Sequence, residues 1–194
     1  MVYARRMPRV AALLAAGAGS RFLGDGHKLL APLHGRPVWQ WALHHVRSAG
    51  FDHVIVVTGA VQVEWPPFAL VHHNEAWATG QASSLQVAVE AARELGAAAV
   101  TVGLADQPFV TSQAWRAVGE APVECRIVVA HYDGAPGPNP VRLHREVWPL
   151  LPTDGDQGAR QLIKDHPEWV CAVACVGSVA DIDTLEDLAR WNHC

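Results

Sequence analysis

Val10-Ala-Ala-Leu-Leu-Ala-Ala-Gly-Ala-Gly-Ser-Arg21 is the stretch of sequence that decides the fold. It begins with seven consecutive apolar residues, a pattern typical of a strand that is buried on both faces in an α/β domain. The run leads directly into a turn with two glycines, whose backbone N–H groups can bind phosphate. We therefore predict a buried first strand over residues 10–14, followed by an anion-binding loop.

This glycine loop matches neither of two familiar phosphate-binding patterns. A P-loop would end in Gly-Lys-Ser/Thr, and that tripeptide does not occur in the sequence. A dinucleotide fingerprint would need a third glycine where Phe22 stands and an acidic residue about 20 positions further on, but no Asp or Glu lies between Asp25 and Asp52. Two other interpretations remain open. One is a plain strand-to-helix turn, and the other is a signal peptide, since Arg5 and Arg6 precede a short apolar run.

Two cations accompany the glycine loop. Arg21 closes it, and Lys28 follows soon after. The chain has 13 arginines but only two lysines, Lys28 and Lys164. A flexible ammonium that follows a phosphate through a reaction is one physical reason to keep a lysine beside such a loop.

Apolar runs and amphipathic stretches alternate along the rest of the chain. Helical spacing or capping signals predict helices over residues 37–49, 82–95, 111–118, 158–165 and 185–191. Strands are predicted over residues 53–58, 69–72, 98–104, 126–131 and 170–176, with short β-like pieces such as 141–143 between 132 and 152. This alternation predicts one α/β domain over residues 1–194, a three-layer α/β/α Rossmann-like fold with a mostly parallel sheet. Ligands of such sheets bind beyond the carboxyl ends of the strands.

Composition limits the functions that the chain can have. A formal net charge of −4 argues against nucleic-acid binding, and no apolar run is long enough to span a membrane. Cys125, Cys171, Cys175 and Cys194 fit neither a zinc-site spacing nor a disulfide framework. We expect them to be structural or incidental thiols, which suits a reducing cytoplasm. The eight tryptophans are expected to serve packing.

Acidic residues stand at two positions where a metal ion could bind. Asp106 follows a predicted strand, so its carboxylate should emerge at the same sheet edge as the glycine loop. Asp181 and Asp183 lie just before the last predicted helix. Mg²⁺ is usually held by one or two carboxylates together with substrate phosphates and water. Alternatively, Asp106 forms a turn, and Asp183 or Thr184 caps the helix.

Five motifs in this order resemble the MobA-like NTP transferases, and within them the molybdenum cofactor cytidylyltransferase (MocA-like) branch. Together they span nearly the whole chain. They are Leu14-Ala-Ala-Gly-Ala-Gly-Ser-Arg21 with Lys28, Asn74 with Gly80-Gln-Ala-Ser-Ser-Leu85, Leu104-Ala-Asp-Gln-Pro108, Gly155-Asp-Gln-Gly-Ala-Arg160, and Asp181-Ile-Asp-Thr-Leu-Glu-Asp-Leu188. Two departures are a long spacer between Arg21 and Lys28, and Gly137-Pro-Asn-Pro140 where the family commonly has a compact Gly-x-Pro.

The resemblance implies a role for each matching position. Residues 8–120 would form the nucleotide-binding part and 121–194 the acceptor-binding part. Arg21, Lys28 and Asp106 would be catalytic, and Mg²⁺ would bind to Asp106 and to Asp183 or Asp181. The nucleotide-binding residues would be Leu14, Ala15, Ala16, Gly17, Ala18, Gly19, Ser20, Arg21, Lys28, Asn74, Gly80, Ser83, Ser84 and Asp106. The acceptor-binding residues would be Gln107, Asn139, Asp156, Gly158 and Arg160.

The implied reaction is transfer of CMP from CTP to the phosphate of molybdopterin, with release of pyrophosphate. Leu-Ala-Ala-Gly and Ala-Asp-Gln-Pro resemble the CTP-using branch rather than the guanylyltransferases. The open alternatives are GTP as donor, another small phosphorylated acceptor, a non-catalytic protein that delivers cofactor to a molybdoenzyme or its accessory protein, and a nicotinamide oxidoreductase, which Phe22 argues against.

Overall fold

The computed structural model describes residues 6–24, 26–122, 124–133 and 139–193. Its strands are β1 (Val10–Ala15), β2 (Pro32–Leu33), β3 (Arg36–Pro37), β4 (His53–Thr58), β5 (Ala69–His73), β6 (Ala99–Leu104), β7 (Ile127–His131), β8 (Val141–His144) and β9 (Val170–Ala174). Its α-helices are α1 (Val38–Ser48), α2 (Gln81–Glu94), α3 (Ser112–Gly119), α4 (Arg160–Asp165) and α5 (Leu185–Asn192). Short 3-10 turns occur at Lys28–Leu30, Trp77–Thr79, Trp148–Leu150 and Pro167–Trp169.

Seven strands form one sheet in the order β5-β4-β1-β6-β8-β7-β9. The first four run parallel to one another, and β7 runs parallel to β9. Strand β8 lies antiparallel between β6 and β7 and is the reversed member of this sheet. The predicted mostly parallel sheet is therefore confirmed. The carboxyl ends of β1 and β6, where the two sharpest motifs begin, are adjacent because Leu14 pairs with Leu104.

Helices cover both faces of the sheet. Alternate residues of β1 point to opposite sides, so Leu13 belongs to one core cluster and Leu14 to the other. Helices α1 and α3 pack against the first face, with Trp115 fully buried there. Helix α2 packs against the second face, where Ala88 and Val89 are buried. This arrangement is the three-layer α/β/α fold that the sequence predicted.

The predicted elements agree with the observed ones to within about two residues at each end. Strand β1 lies inside the sheet between β4 and β6 and is buried along its length, as predicted for a buried first strand. Thr111 caps α3 by accepting a hydrogen bond from the N–H of Ala114, as predicted. The small β2–β3 hairpin was not foreseen, because its two-residue strands carry no alternating pattern. Among the described residues, no helix has the length and apolar character needed to cross a membrane.

One expectation about the cysteines is wrong. Cys125 and Cys171 form a disulfide bond with a sequence separation of 46. The bond joins the segment before β7 to β9, two parallel neighbours in the sheet. Linear spacing did not indicate it because the pairing depends on strand order. Cys175 is a free thiol, and Cys194 lies outside the described residues. The cysteines therefore no longer support the expectation of a reducing compartment.

Candidate active site

A cleft of about 590 Å³ opens at the carboxyl ends of β1 and β6. The whole glycine loop, Lys28 and Asp106 line it, so the two motifs on which the sequence interpretation depended do converge. Residues from both the proposed nucleotide-binding and acceptor-binding parts contribute to its wall. The lining residues are Leu14, Ala15, Ala16, Gly17, Ala18, Gly19, Ser20, Arg21, Lys28, Leu29, Trp77, Ala78, Gly80, Gln81, Ser84, Leu104, Asp106, Asp156, Arg160, Asp181 and Asp183.

The glycine loop curls over the segment that carries Lys28. Gly19 has a φ of +65°, and a Cβ at this position would lie 3.1 Å from Cγ of Lys28, so glycine suits both the turn and the close approach. His27 accepts a hydrogen bond at Nδ1 from the N–H of Leu29, which leaves its Nε2 to donate to the carbonyl of Gly17 at 2.8 Å. His27 thus fixes the loop in place. No signal in the sequence had singled it out.

Lys28 lies between two carboxylates. Its Nζ donates to Oδ2 of Asp106 and to Oδ1 of Asp183, at 2.5 Å in each case. The lysine is only 9% exposed. Burial alone would lower its pKa, but the two carboxylates outweigh burial and raise the pKa above its ordinary value. Lys28 is therefore a fully charged ammonium at neutral pH.

Asp106 keeps one oxygen free of any such contact. Its Oδ1 is buried and has no hydrogen-bond partner among the described residues. The backbone holds this residue firmly, because the N–H of Ala105 donates to Leu14 and the N–H of Ile182 donates to the carbonyl of Asp106. A buried carboxylate oxygen without a partner is costly unless a ligand satisfies it. A divalent cation is a ligand that fits.

Asp183 also faces the cleft, because its neighbour takes over the capping of α5. Thr184 accepts a hydrogen bond from the N–H of Asp187, and the Asp187 carboxylate accepts one in return from the N–H of Thr184. The second oxygen of Asp183 forms an ion pair with Arg21 at 2.7 Å. Asp181 lines the cleft without such a pair, and burial, together with the negative charge of Asp183, raises its pKa. Of the two helix-cap alternatives, Thr184 is the cap.

The donor set suits a cation that shares its coordination with a substrate. No group of three or more His, Cys, Asp or Glu side chains close enough to hold a metal ion occurs in the described part of the chain. Asp106 and Asp183 would supply one or two oxygens, and phosphates and water the rest, which is the usual arrangement for Mg²⁺. The carboxylates fit such an ion, and the ammonium of Lys28 now lies between them.

Two predicted nucleotide-binding residues do not reach the cleft. Asn74 is 3% exposed, and its amide donates to the hydroxyls of Ser83 and Ser84 at 2.9 and 3.0 Å. The hydroxyl of Ser83 donates in turn to backbone carbonyls. Neither residue lines the cleft, and both form hydrogen bonds that hold the turn before α2. Their contact with nucleotide stays a prediction. Ser84 and Gly80 do line the cleft.

The predicted acceptor residues fall into two groups. Asp156 and Arg160 line the cleft itself. Gly158 and Asn139 line a neighbouring cavity of about 30 Å³, to which Arg160 also contributes. Gln107 lines neither space, because its amide donates to Val179 and accepts from Asn139 at 3.0 Å. That Gln107 binds the acceptor stays a prediction. Residues 137 and 138 of the second glycine-rich loop lie outside the described residues.

The segment 155–160, which the resemblance assigns to the acceptor, is joined directly to the start of α2. The carbonyl of Gly155 accepts from the N–H of Ala82 at 2.9 Å, and its N–H donates to Thr79 at the same distance. A Cβ on Gly80 would lie 2.5 Å from the backbone of Gly155, so only glycine permits this approach. Trp77 and Gln81 also line the cleft, although the sequence interpretation did not assign them a role.

Comparison with known proteins identifies the family. The model of the MobA-like NTP transferase domain matches residues 11–170. The chain belongs to the MobA-like NTP transferases. The purine catabolism protein PucB of Bacillus subtilis is 30% identical over 94% of this chain and 95% of its own. The nicotine blue oxidoreductase of Paenarthrobacter nicotinovorans is 30% identical over 92% of this chain and 93% of its own.

Solved structures agree with this assignment. Rv0371c of Mycobacterium tuberculosis is 27% identical with a TM-score of 0.80, covering 97% of this chain and 98% of its own. A complex of the same protein with manganese has a TM-score of 0.76 at 26% identity, covering 96% of this chain and 98% of its own. The fold and the family together identify this MobA-like protein as a nucleotidyltransferase.

Proposed function

We propose that this transferase is a molybdenum cofactor cytidylyltransferase, which moves CMP from CTP to the phosphate of molybdopterin with Mg²⁺ as cofactor. The observation that carries the proposal is the convergence of the glycine loop, Lys28 and Asp106 on one cleft that also contains Asp156 and Arg160. Nucleotide and acceptor would thus meet in a single space. The roles of two relatives, in purine catabolism and as an oxidoreductase, both suit a transferase that prepares a redox cofactor.

The triphosphate would lie along the glycine loop. Residues Ala16 to Arg21 line the cleft at the end of β1. The backbone N–H groups of a glycine loop at a strand end are the kind of site where phosphates bind. The Arg21 side chain is 75% exposed and so has room to leave Asp183 for an outer phosphate. Lys28 would contact the reacting phosphate.

The charge of the cleft supports a divalent cation as cofactor. The cleft is lined by three cationic side chains, those of Arg21, Lys28 and Arg160. It is also lined by four carboxylates, so the formal charges of these side chains sum to −1; the carboxylates are those of Asp106, Asp156, Asp181 and Asp183. A triphosphate would make this charge far more negative, so a divalent counter-ion is needed. Asp106 and Asp183 would hold it, and when bound it would neutralise charge on the phosphates and align them. A relative of the same fold has been solved with manganese.

The chemistry needs no protein nucleophile. A phosphate oxygen of the acceptor would attack the α-phosphorus of CTP, the bond between that phosphorus and the α,β-bridging oxygen would break, and pyrophosphate would leave with the electron pair. The attacking phosphate is already ionised at neutral pH, so no strong base is required. The protein contributes alignment by the loop and positive charge from Lys28. Arg160 and Asp156 would border the acceptor.

The decisive experiment presents the purified protein with molybdopterin, Mg²⁺ and each of the four NTPs in turn. Of the four NTPs, we expect only CTP to give pyrophosphate release in the presence of molybdopterin. The product should have the mass of molybdopterin plus CMP minus water. A guanylylated product would replace CTP by GTP in the proposal. Turnover with a different phosphorylated acceptor and none with molybdopterin would overturn the acceptor assignment.

A second candidate function is redox chemistry with a nicotinamide cofactor, since one relative is named an oxidoreductase. Phe22 and the missing ribose-binding acid argue against it. Titration with NADH and NADPH distinguishes the oxidoreductase from the transferase, since we expect no binding of either nucleotide.

A third candidate, non-catalytic cofactor delivery, would require tight CTP binding that is indifferent to Mg²⁺ and forms no pyrophosphate.

A further inference from the structure

Trp77 is the one aromatic residue among the described residues that line the cleft. It lies in the 3-10 turn Trp77–Thr79 between β5 and α2, and its side chain is partly exposed. The rest of the wall consists mainly of charged, polar and small residues. The ring packs in part against the core cluster on the α2 side of the sheet, but nothing in the phosphate chemistry uses the part that remains exposed in the cleft.

A buried hydrogen-bond network holds the turn of Trp77 in place. The backbone carbonyl of Asn74 accepts a hydrogen bond from the N–H of Trp77 at 3.2 Å. The side-chain oxygen of Asn74 accepts one from the N–H of Ala76 at 3.0 Å. Its amide group donates to Ser83 and Ser84 at the start of α2. The turn is therefore fixed at both ends. Asn74 and Ser83 therefore stabilise the turn that carries Trp77, although neither lines the cleft.

The indole lies on the glycine-loop side of the cleft. A Cβ at Gly59 would lie 2.6 Å from Cβ of Trp77 and also 2.6 Å from the carbonyl oxygen of Ala16. Trp77 and the first residues of the glycine loop thus pack against the same backbone position. Since Gly59 has no positive φ, glycine is needed there for space. The side chain of Trp77 occupies the space that a Cβ at position 59 would need.

We infer that Trp77 is the residue on which the base of the bound nucleotide stacks. The inference rests on the proposed function, because it takes the glycine loop as the triphosphate site. A nucleotide whose phosphates lie along residues 16–21 must extend its base within one ribose of that loop, and Trp77 is the planar side chain beside it. Stacking of a base on an aromatic side chain tolerates any base, so Trp77 supplies affinity rather than the choice of CTP.

The test compares binding of CTP with binding of tripolyphosphate, a probe that has the phosphates but no base. Trp77→Leu and Trp77→Phe are measured beside Trp169→Leu. Trp169 is a matched control, since it is also partly buried in a three-residue 3-10 turn but does not line the cleft. We expect Trp77→Leu to weaken CTP binding by roughly tenfold to a hundredfold with tripolyphosphate binding unchanged. Trp77→Phe and Trp169→Leu should bind CTP nearly as wild type does.

Fluorescence gives a readout that does not depend on the leucine variant. The difference in emission between wild type and Trp77→Phe should respond to CTP and not to tripolyphosphate. Equal losses for both probes, unchanged CTP binding, or an effect confined to the KM of the acceptor would each overturn the inference. If wild type turned over another NTP instead, the same comparison with that NTP would test Trp77, while the CTP assignment would fail separately.

Discussion

The ammonium nitrogen of Lys28 lies 2.5 Å from a carboxylate oxygen of Asp106, although 78 positions separate the two residues. Each residue follows the carboxyl end of a central strand, β1 or β6, and the two strands are neighbours. The contact therefore follows directly from the sheet order. It brings the glycine loop and the carboxylate that we propose as a metal ligand into one site, which gives the first prediction.

Replacing Asp106 by Asn should lower turnover by about 10²–10³-fold, because removal of a preorganised charge-stabilising group has an effect of that size. Steady-state pyrophosphate release measures the change, and circular dichroism checks that the variant is folded. Glu90→Gln is a suitable control, since the Glu90 side chain is 58% exposed on α2 and, within the described part of the chain, forms an ion pair with Arg93 alone. Near-normal turnover by Asp106→Asn would remove the basis for the metal assignment.

The chain offers its own control for the second prediction, because Lys164 is the other lysine. Lys28→Met should lose about 10²–10³-fold in turnover, whereas Lys164→Met should lose little. In the absence of nucleotide, Lys28→Met should also bind Mn²⁺ more tightly than wild type, because the ammonium no longer neutralises Asp106 and Asp183. Electron paramagnetic resonance of free Mn²⁺ measures this affinity. Weaker Mn²⁺ binding would contradict the competition between ammonium and metal.

Asp181 and Asp183 can be distinguished by a matched pair of variants. Asp183→Asn should impair turnover and Mn²⁺ binding about as strongly as Asp106→Asn, since Asp183 shares the Lys28 ammonium with Asp106. Asp181→Asn should cost less than about tenfold, equivalent to 1.4 kcal/mol. The opposite order of effects would make Asp181 the second metal ligand.

The Cys125–Cys171 bond should contribute about 2–4 kcal/mol to the free energy of unfolding, because it restricts the unfolded chain over a 46-residue separation. Thermal unfolding with and without a phosphine reductant should therefore show a lower Tm for the reduced protein. Cys175→Ser should retain this response, while the double variant Cys125→Ser/Cys171→Ser should lack it. A Tm that does not change on reduction would show that the bond does not form in solution.

Gly80→Ala should be far more harmful than Gly96→Ala. Both glycines have positive φ, +114° and +72°, so either substitution strains the backbone. Only at Gly80 would the new Cβ also meet backbone atoms, those of Gly155 at 2.5 Å, whereas Gly96 has nothing within 4 Å. We expect a raised KM for the acceptor and a lowered Tm in Gly80→Ala. Equal effects of the two variants would show that the contact with Gly155 is unimportant.

Much of the fold could be predicted because its signals are local. The apolar run before Gly17, the helical spacing of α1 and the cap at Thr111 each depend on residues close together in sequence. The reversed direction of β8 and the Cys125–Cys171 bond could not be predicted, because both depend on which strands become neighbours.

Sequence could predict only in part which residues line the cleft. Motifs that follow neighbouring parallel strands lie at the same edge of the sheet. The predicted closeness of the glycine loop and Asp106 therefore agrees with the observed contact between Lys28 and Asp106. Side chains within a motif do not all point the same way, and sequence could not show that Asn74 faces inward while Trp77 faces the cleft. His27 was missed because its role is a hydrogen bond to the loop backbone.

Helix α5 connects two backbone segments of the site without lining the cleft. Its first turn follows Asp183 directly, and at its other end the side chain of Asn192 bonds to Pro32 and His34, just beyond the Lys28 turn. The helix therefore fixes the spacing between the backbone segments that carry an ammonium and its carboxylate partner. Asn192 does not line the cleft, yet its replacement would loosen the spacing on which the pairing of Lys28 with Asp183 depends.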